Sequence, residues 1–469
     1  ARRAVVCRMA RKECEVKMKQ IRTCVRQTAC GVVRGLALDG YEAYLGIRYA
    51  KAERWEQAVQ AGLWEGEYDA TRFGDRACQF RGFYGVEDSA INRFYYEEAK
   101  TQFPAVYSED CLNLNIWTRE DARGFPVLVY IHGGAFRTGG NGEPFVDGAA
   151  YAKRDVVMVS VNYRLGPFHS VYGDGYSGNL ALTDQITALA WVRDNIACYG
   201  GDPERVTIMG ESAGAVSVQC LLLSPQAKGL FCGAVMMSGG GDLSALGTPN
   251  RPVRIRPVWE WVKKSLGAAT LQELKTCPAY RLYAAWQKAL DDLPQYAAGA
   301  SKPVLDGKVI PMGVAQAREE GLLADVPCII GVLSADSWPY TLCSAALDYA
   351  GRQERAGGAP VYVYLFDRTP PGENPFGAFH GADLWYVFGT LDRGRRPYEP
   401  VDKAISGYLL GYVSNFVKTG DPNGPLLPRW DGAGKDGQVL RLAEDTAMCR
   451  PDLEGLGRTQ SMASPYPYC

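Results

Sequence analysis

Histidine is nearly absent: the chain of 469 residues holds three, His132, His169 and His380. There is no Cys-x-x-Cys pair and no Cys/His cluster at zinc spacing, so no metal site is expected. A charge excess is lacking too. Lys and Arg number 51 against 52 Asp and Glu, for a formal charge of −1. Nothing electrostatic therefore draws the chain to nucleic acid or an anionic membrane. No apolar run approaches the ~20 residues of a membrane span. Cysteine, 14 residues in all, is too sparse for a disulfide scaffold. Several cysteines (Cys198, Cys220, Cys232, Cys328) sit among apolar neighbours and read as small buried hydrophobes. These features favour a reduced, cytoplasmic protein, with secretion the alternative if a signal has been removed. What remains is a globular composition, 47% apolar and 22% charged, which excludes disordered and coiled-coil classes.

The first 30 residues carry nine Lys/Arg and two Glu, without an apolar h-region or a small-residue cleavage site. Residues 1–30 are read as a basic N-terminal extension, a solvated tail or vector residues before Met9 in preference to a transit peptide or nucleic-acid arm, and 31–469 as one α/β domain. Gly31–Leu38 and Ala43–Tyr49 flank Asp39-Gly40, the pattern of an antiparallel hairpin. Unbroken apolar runs follow at Pro126–Ile131, Val156–Val161, Val206–Met209, Ala234–Met237, Cys328–Val332 and Val361–Phe366. Such runs suit strands buried on both faces. Helical patterns alternate with them, over Thr183–Tyr199 and from Ile405 to Phe416, each stopped by glycine. The alternation predicts a mainly parallel sheet with helices on both faces.

The informative stretch is Val206–Ala215, reading VTIMGESAGA. A bare G-x-S-x-G is weak at this glycine content. Here a β-branched run enters it and an apolar helical run, Ala215–Leu223, leaves it, the context of a nucleophile elbow. Glycines two residues either side of Ser212 remove Cβ atoms where strand and helix crowd the turn. The serine can then hold a strained conformation with Oγ facing a cleft. The bland alternative is a glycine-rich turn that holds a serine by chance. A serine hydroxyl also needs a base. His132 precedes Gly133-Gly134-Ala135-Phe136 at a strand end, and reads as part of an oxyanion-stabilising loop. His169 reads as a structural or surface residue. His380, in the glycine-rich loop Phe376–Asp383, follows the serine as the order Ser…acid…His requires. Asp336, just after the Cys328–Val332 strand, is the candidate carboxylate behind it.

Further segments occur in order: Gly46–Ala50 (GIRYA), Ser108–Trp117 (SEDCLNLNIW), Asn162–Gly166 (NYRLG), Gly178-Asn179, Asp184-Gln185, Gly200–Pro203 and Glu211 before the serine. With the His132–Phe136 loop and the elbow, they resemble the type-B carboxylesterase/cholinesterase-like family of α/β-hydrolases. The resemblance extends over roughly Gly31 to Asp445. It implies the α/β-hydrolase fold, hydrolysis of small-molecule carboxylic esters without a cofactor, and a triad of Ser212, Asp336 and His380. It also implies an oxyanion hole from the N–H groups of Gly134, Ala135 and Ala213, and a disulfide between Cys78 and Cys111. A monomer is expected.

Three departures from the family pattern stand out. Asp336 and Asp383 occupy positions where the family usually has Glu. The interval from Asp336 to His380 is only 44 residues. No Trp lies between Cys78 and Cys111, where the family's choline-binding Trp falls, so a general carboxylesterase is favoured over a cholinesterase. The aromatics of that stretch, among them Phe80, Phe83, Tyr84, Phe94, Tyr95 and Phe103, are expected to pack the loop. The alternatives are an amide, carbamate or thioester hydrolase, or a lipase, using the same triad. A non-catalytic binding protein on this scaffold is disfavoured because all three triad residue types are present.

Overall fold

The apolar runs form the middle of one large sheet in the computed structural model, which describes residues 22–79, 90–98, 105–241, 249–434 and 436–458. Its strands are β1 (Arg22–Thr28), β2 (Gly31–Leu38), β3 (Tyr41–Arg48), β4 (Asn113–Thr118), β5 (Phe125–Ile131) and β6 (Val157–Val161). They continue as β7 (Gly201–Glu211), β8 (Gly233–Met237), β9 (Cys328–Leu333), β10 (Val361–Phe366), β11 (Val439–Leu442) and β12 (Ala447–Cys449). The spatial order is β1-β2-β3-β4-β6-β5-β7-β8-β9-β10-β11-β12, with Glu67–Asp69 beside β2. From β6 through β11 neighbours run parallel. The N-terminal strands through β4 pair antiparallel, and β2 and β3 turn at Asp39-Gly40 with Leu38 opposite Tyr41.

Both faces of the parallel strands are covered, which is why their sequences do not alternate. In β5, Val127, Val129 and Ile131 point to one side, where the buried cluster includes α2 (Leu180–Asn195), α3 (Ala213–Leu223) and, further along the sheet over β9 and β10, α7 (Pro339–Arg355). Leu128 and Tyr130 face the other side, where Leu409, Val413 and Phe416 of α8 (Pro400–Thr419) meet them. Two further parts stand against this frame. Helix α1 (Ala90–Glu98) lies near the mouth of the site described below. A helical layer of α4 (Arg256–Leu266), α5 (Ala279–Asp292) and α6 (Pro294–Ala297) has its own core around Trp55, Trp259 and Trp286.

Two expectations are corrected. Residues 22–28, assigned above to the N-terminal extension, form β1 and pair along β2. The basic composition concealed the strand because its inward charge has a partner: Arg26 Nε donates to Glu42 Oε2 (2.8 Å) and to Tyr44 Oη (2.9 Å). Cys232 is exposed rather than buried, and Cys198 is half-buried, whereas Cys220 and Cys328 are in the core. Cys232 sits just before β8, where its N–H bonds Val206 O (2.8 Å) and its side chain clears the sheet end.

The NYRLG and Asp184-Gln185 segments are joined by a buried ion pair. Arg164 donates to both Asp184 oxygens, Nε to Oδ2 at 2.8 Å and Nη2 to Oδ1 at 2.6 Å. The fork satisfies both charges where water is excluded, and it pins the chain after β6 to α2. Among the described residues no helix is long and apolar enough to cross a membrane.

Candidate active site

The chain turns sharply from β7 into α3 at Ser212, whose φ of 56° and ψ of −120° lie outside the regions a serine prefers. Such a conformation costs on the order of 1–3 kcal/mol and persists only where the surroundings impose it. Here they do. Ser212 N–H donates to Met237 O (2.8 Å), and Ser212 O accepts from Val216 N–H (3.0 Å). The two flanking glycines are required by space. A Cβ on Gly210 would meet the Gly214 backbone at 2.3 Å, and one on Gly214 would stand 2.1 Å from Ile131 O. Ala213 opens α3, so its N–H has no acceptor within the helix and carries the positive end of the helix dipole.

The loop after β5 approaches from beside the elbow. A Cβ on Gly133 would collide with Glu211 Oε2 at 2.5 Å, and one on Gly134 (φ 107°) with Thr138 O at 2.2 Å. Ala135 and Phe136 follow at φ 54° and 57°. Gly134 O accepts from the N–H groups of Arg137 and Thr138, each at 2.9 Å. Because a peptide N–H points opposite its carbonyl, this turns the Ala135 N–H the other way. His132 is not arranged as a base. Its ring stacks on Tyr163 at 4.4 Å, its Nδ1 lies 2.8 Å from Gly133 O, and burial pushes it down to about 4. His169 is buried, and burial holds it at about 3.

His380 and Asp336 come together through the backbone. Ala335 forms a parallel bridge with Phe379, and Ala335 N–H donates to Ala378 O (3.3 Å). The next residue on each strand end is then Asp336 or His380, with His380 Nδ1 2.8 Å from Asp336 Oδ1. Asp336 Oδ1 also accepts from Ser337 N–H (2.6 Å). The shorter acid therefore reaches the imidazole directly. Across the ring, His380 Nε2 lies 3.2 Å from Oε1 of Glu211, the residue immediately before the serine. Ser212, Glu211, His380, His132, Gly133 and Gly134 line one cavity of about 120 Å³.

Charge in this cavity is set by burial against pairing. Burial alone would lower the basicity of His380, but the carboxylates of Asp336 and Glu211 outweigh it and hold the imidazolium up to about 9. Glu211, stripped of water, is pushed up to about 7 even though His380 opposes the shift. Burial likewise raises Asp383 to about 6 despite a 2.6 Å hydrogen bond from Tyr364 Oη.

Sequence reading missed several groups at this site. The contact between Glu211 and His380 is one. Tyr95 and Glu98 of α1 also line the cavity. Arg396 grips Glu98 with two bonds, at 2.7 and 3.0 Å, and Phe94 packs edge-on against Phe376 and Phe379. Phe94 thus packs the loop as expected, while Phe80, Phe83, Tyr84 and Phe103 lie outside the described residues. Cys78 and Cys111 are buried free thiols, so the disulfide implied by the family resemblance is not formed in this structure. Burial pushes the Cys78 thiol up to about 12 and Cys111 well above its usual range. No group of three or more His, Cys, Asp or Glu among the described residues is arranged to hold a metal ion.

A strained serine between strand and helix, on a parallel sheet covered on both faces, defines a serine hydrolase of the α/β-hydrolase class. The Carboxylesterase family profile matches residues 22–343 and 340–455; the chain belongs to this family and is a serine carboxylesterase. It is 32% identical to the para-nitrobenzyl esterase of Bacillus subtilis over 84% of this chain and 90% of that protein. It is 29% identical to the phenmedipham hydrolase of Pseudarthrobacter oxydans over 92% and 97%. Among solved structures, a PNB esterase superposes with a TM-score of 0.78 at 27% identity, covering 94% of this chain and 99% of the other. An esterase of Clostridium hathewayi described as hydrolysing aliphatic aromatic polyesters gives a TM-score of 0.80 at 25% identity, over 94% and 99%.

Proposed function

We propose that Ser212, His380 and Asp336 are nucleophile, general base and orienting acid in two-step hydrolysis of small carboxylic esters. The observation that carries the reading is the 2.8 Å contact between His380 and Asp336, in the cavity where the strained Ser212 stands. His380 Nε2 takes the hydroxyl proton as Oγ bonds the ester carbonyl carbon, and the carbonyl electron pair moves onto oxygen. The N–H groups of Gly134, Ala135 and Ala213 receive that oxyanion. The C–O bond to the alcohol then breaks as His380 returns the proton to the leaving oxygen. Water repeats the sequence on the acyl-enzyme, releasing the acid. We place the enzyme in the cytoplasm, where free thiols such as Cys78 and Cys111 stay reduced.

A fluorophosphonate probe tests the nucleophile. Ser212 Oγ is expected to displace fluoride and form an O–P bond, so that peptide mapping finds the label on the Val206–Ala215 stretch. Label on any other residue, or none, refutes the assignment.

The electrostatics predict a pH dependence. Only unprotonated His380 can accept the serine proton, and the carboxylates of Asp336, Glu211 and Asp383 hold its imidazolium up to about 9. Activity should therefore rise with pH into the alkaline range. Glu211→Gln removes one of the three carboxylate charges that favour imidazolium, leaving Asp336 and Asp383, so the pKa falls and the acid limb of kcat/KM moves to lower pH. A profile recorded from about pH 6 to pH 10 checks this; a limb that stays put or moves upward contradicts it.

A further inference from the structure

We infer that Ser301 and Arg137 are positioning residues that hold the loop after β5 in the conformation that binds the tetrahedral oxyanion. The inference rests on the reading of Gly134 and Ala135 as oxyanion donors. Two consecutive non-glycine residues there, Ala135 and Phe136, have positive φ values of 54° and 57°. Each would relax to negative φ if released. Relaxation at Ala135 would rotate the chain that follows it and carry off the Arg137 and Thr138 N–H groups, whose bonds to Gly134 O (2.9 Å each) orient the Ala135 N–H.

The restraint comes from the helical layer, more than 160 residues away in the chain. Ser301 Oγ donates to Ala135 O at 3.1 Å and accepts from Arg137 Nε at 3.1 Å. Arg137 Nη2 donates to Ala297 O at the end of α6 (2.6 Å), and the guanidinium lies over Trp286 of α5, 5.2 Å from the ring centre. Phe136 O is held separately by Gly166 N–H at 2.7 Å.

The segment that presents Ser301 is itself anchored. Ser170 Oγ donates to Ala300 O at 2.5 Å, and Asn179 exchanges two 2.8 Å bonds with the backbone of Val304. Ser301 is only 3% exposed, so water cannot easily replace its donor on Ala135 O. The strained loop is thus braced by a hydroxyl and a guanidinium that do not line the cavity holding Ser212 and His380.

The test pairs kinetics with two inhibitors. Ser301→Ala should lower kcat on p-nitrophenyl acetate by about 10- to 100-fold, less than the ~10²–10³ of losing an oxyanion donor outright, with KM within about 3-fold. A trifluoromethyl ketone forms a bond from Ser212 Oγ to its carbonyl carbon, passing the serine proton to His380 and leaving an anionic hemiketal oxygen. Its affinity should fall by the same factor as kcat, while the matching unfluorinated alcohol, which makes no oxyanion, binds unchanged. Arg137→Gln, which removes the donor that orients Ser301, should move both quantities in the same direction by less. It carries the test alone, on the same criteria, if Ser301→Ala fails to fold. Wild-type kcat, or a kcat loss with undiminished trifluoromethyl ketone affinity, overturns the inference. Ser212→Ala run alongside separates the two claims: if it is inactive while Ser301→Ala behaves as wild type, the clamp fails and the triad stands. If Ser212→Ala retains turnover, the triad reading fails first.

Discussion

Ser212→Ala is expected to lower kcat on p-nitrophenyl acetate by about 10⁶, with the unfolding midpoint within about 3 °C of wild type. The folding half of this expectation follows from where the bonds run. Ser212 is held by its backbone, through Met237 O and Val216 N–H, and the variant keeps both. The catalytic half follows from magnitude, since a millionfold loss corresponds to about 8 kcal/mol of barrier. No electrostatic or binding contribution left in the cavity supplies that much, because oxyanion donors and positioning alone account for about 10³–10⁴ over water. Ser212→Ala and His380→Ala should each cost about as much as both together, because neither group acts without the other. Turnover above about a tenth of wild type in either single variant would refute the triad.

The second large effect is at the acid. Asp336→Asn should cost about 10⁴ in kcat. Its Oδ1 accepts the His380 Nδ1–H at 2.8 Å, and its Oδ2 is buried without a hydrogen-bond partner among the described residues. The carboxylate charge is therefore concentrated on the imidazolium that forms when Ser212 gives up its proton. An amide is neutral, and with its NH₂ turned toward the ring it selects the tautomer that cannot take a proton at Nε2. Two neighbouring carboxylates serve as controls. Asp383, bonded by Tyr364 Oη at 2.6 Å, and Asp367, paired with Arg441 at 2.7 Å, have their own partners. Asparagine at either should cost less than about tenfold. If Asp336→Asn is near neutral while one of these is inactive, the acid has been misassigned.

The degree to which the sequence disclosed these roles differed by element. The strands of the parallel region were legible because burial on both faces leaves unbroken Val/Ile/Leu runs, and each expected run lies within or against an observed strand. The first strand, β1, was not legible. Its inward Arg26 is neutralised by Glu42, and a periodicity argument cannot see a charge that is buried because it is paired. Cys232 was misjudged for the opposite reason, since apolar neighbours in sequence do not bury a side chain at the end of a sheet.

Ser212 could be read directly because its chemistry is local: strand, two glycines and helix lie within a dozen residues, and sterics demand those residues in that order. His380 and Asp336 were reached by elimination among three histidines and by chain order, which names candidates without bringing them together. Only the tertiary structure decided that they meet, through the pairing of Ala335 with Phe379, and that Glu211 stands on the far side of the imidazole. It alone also decided that Ser301 braces Ala135. Motifs record constraints between residues close in the chain, whereas the bonds that orient the base and brace the loop join segments whose separation leaves no shared pattern.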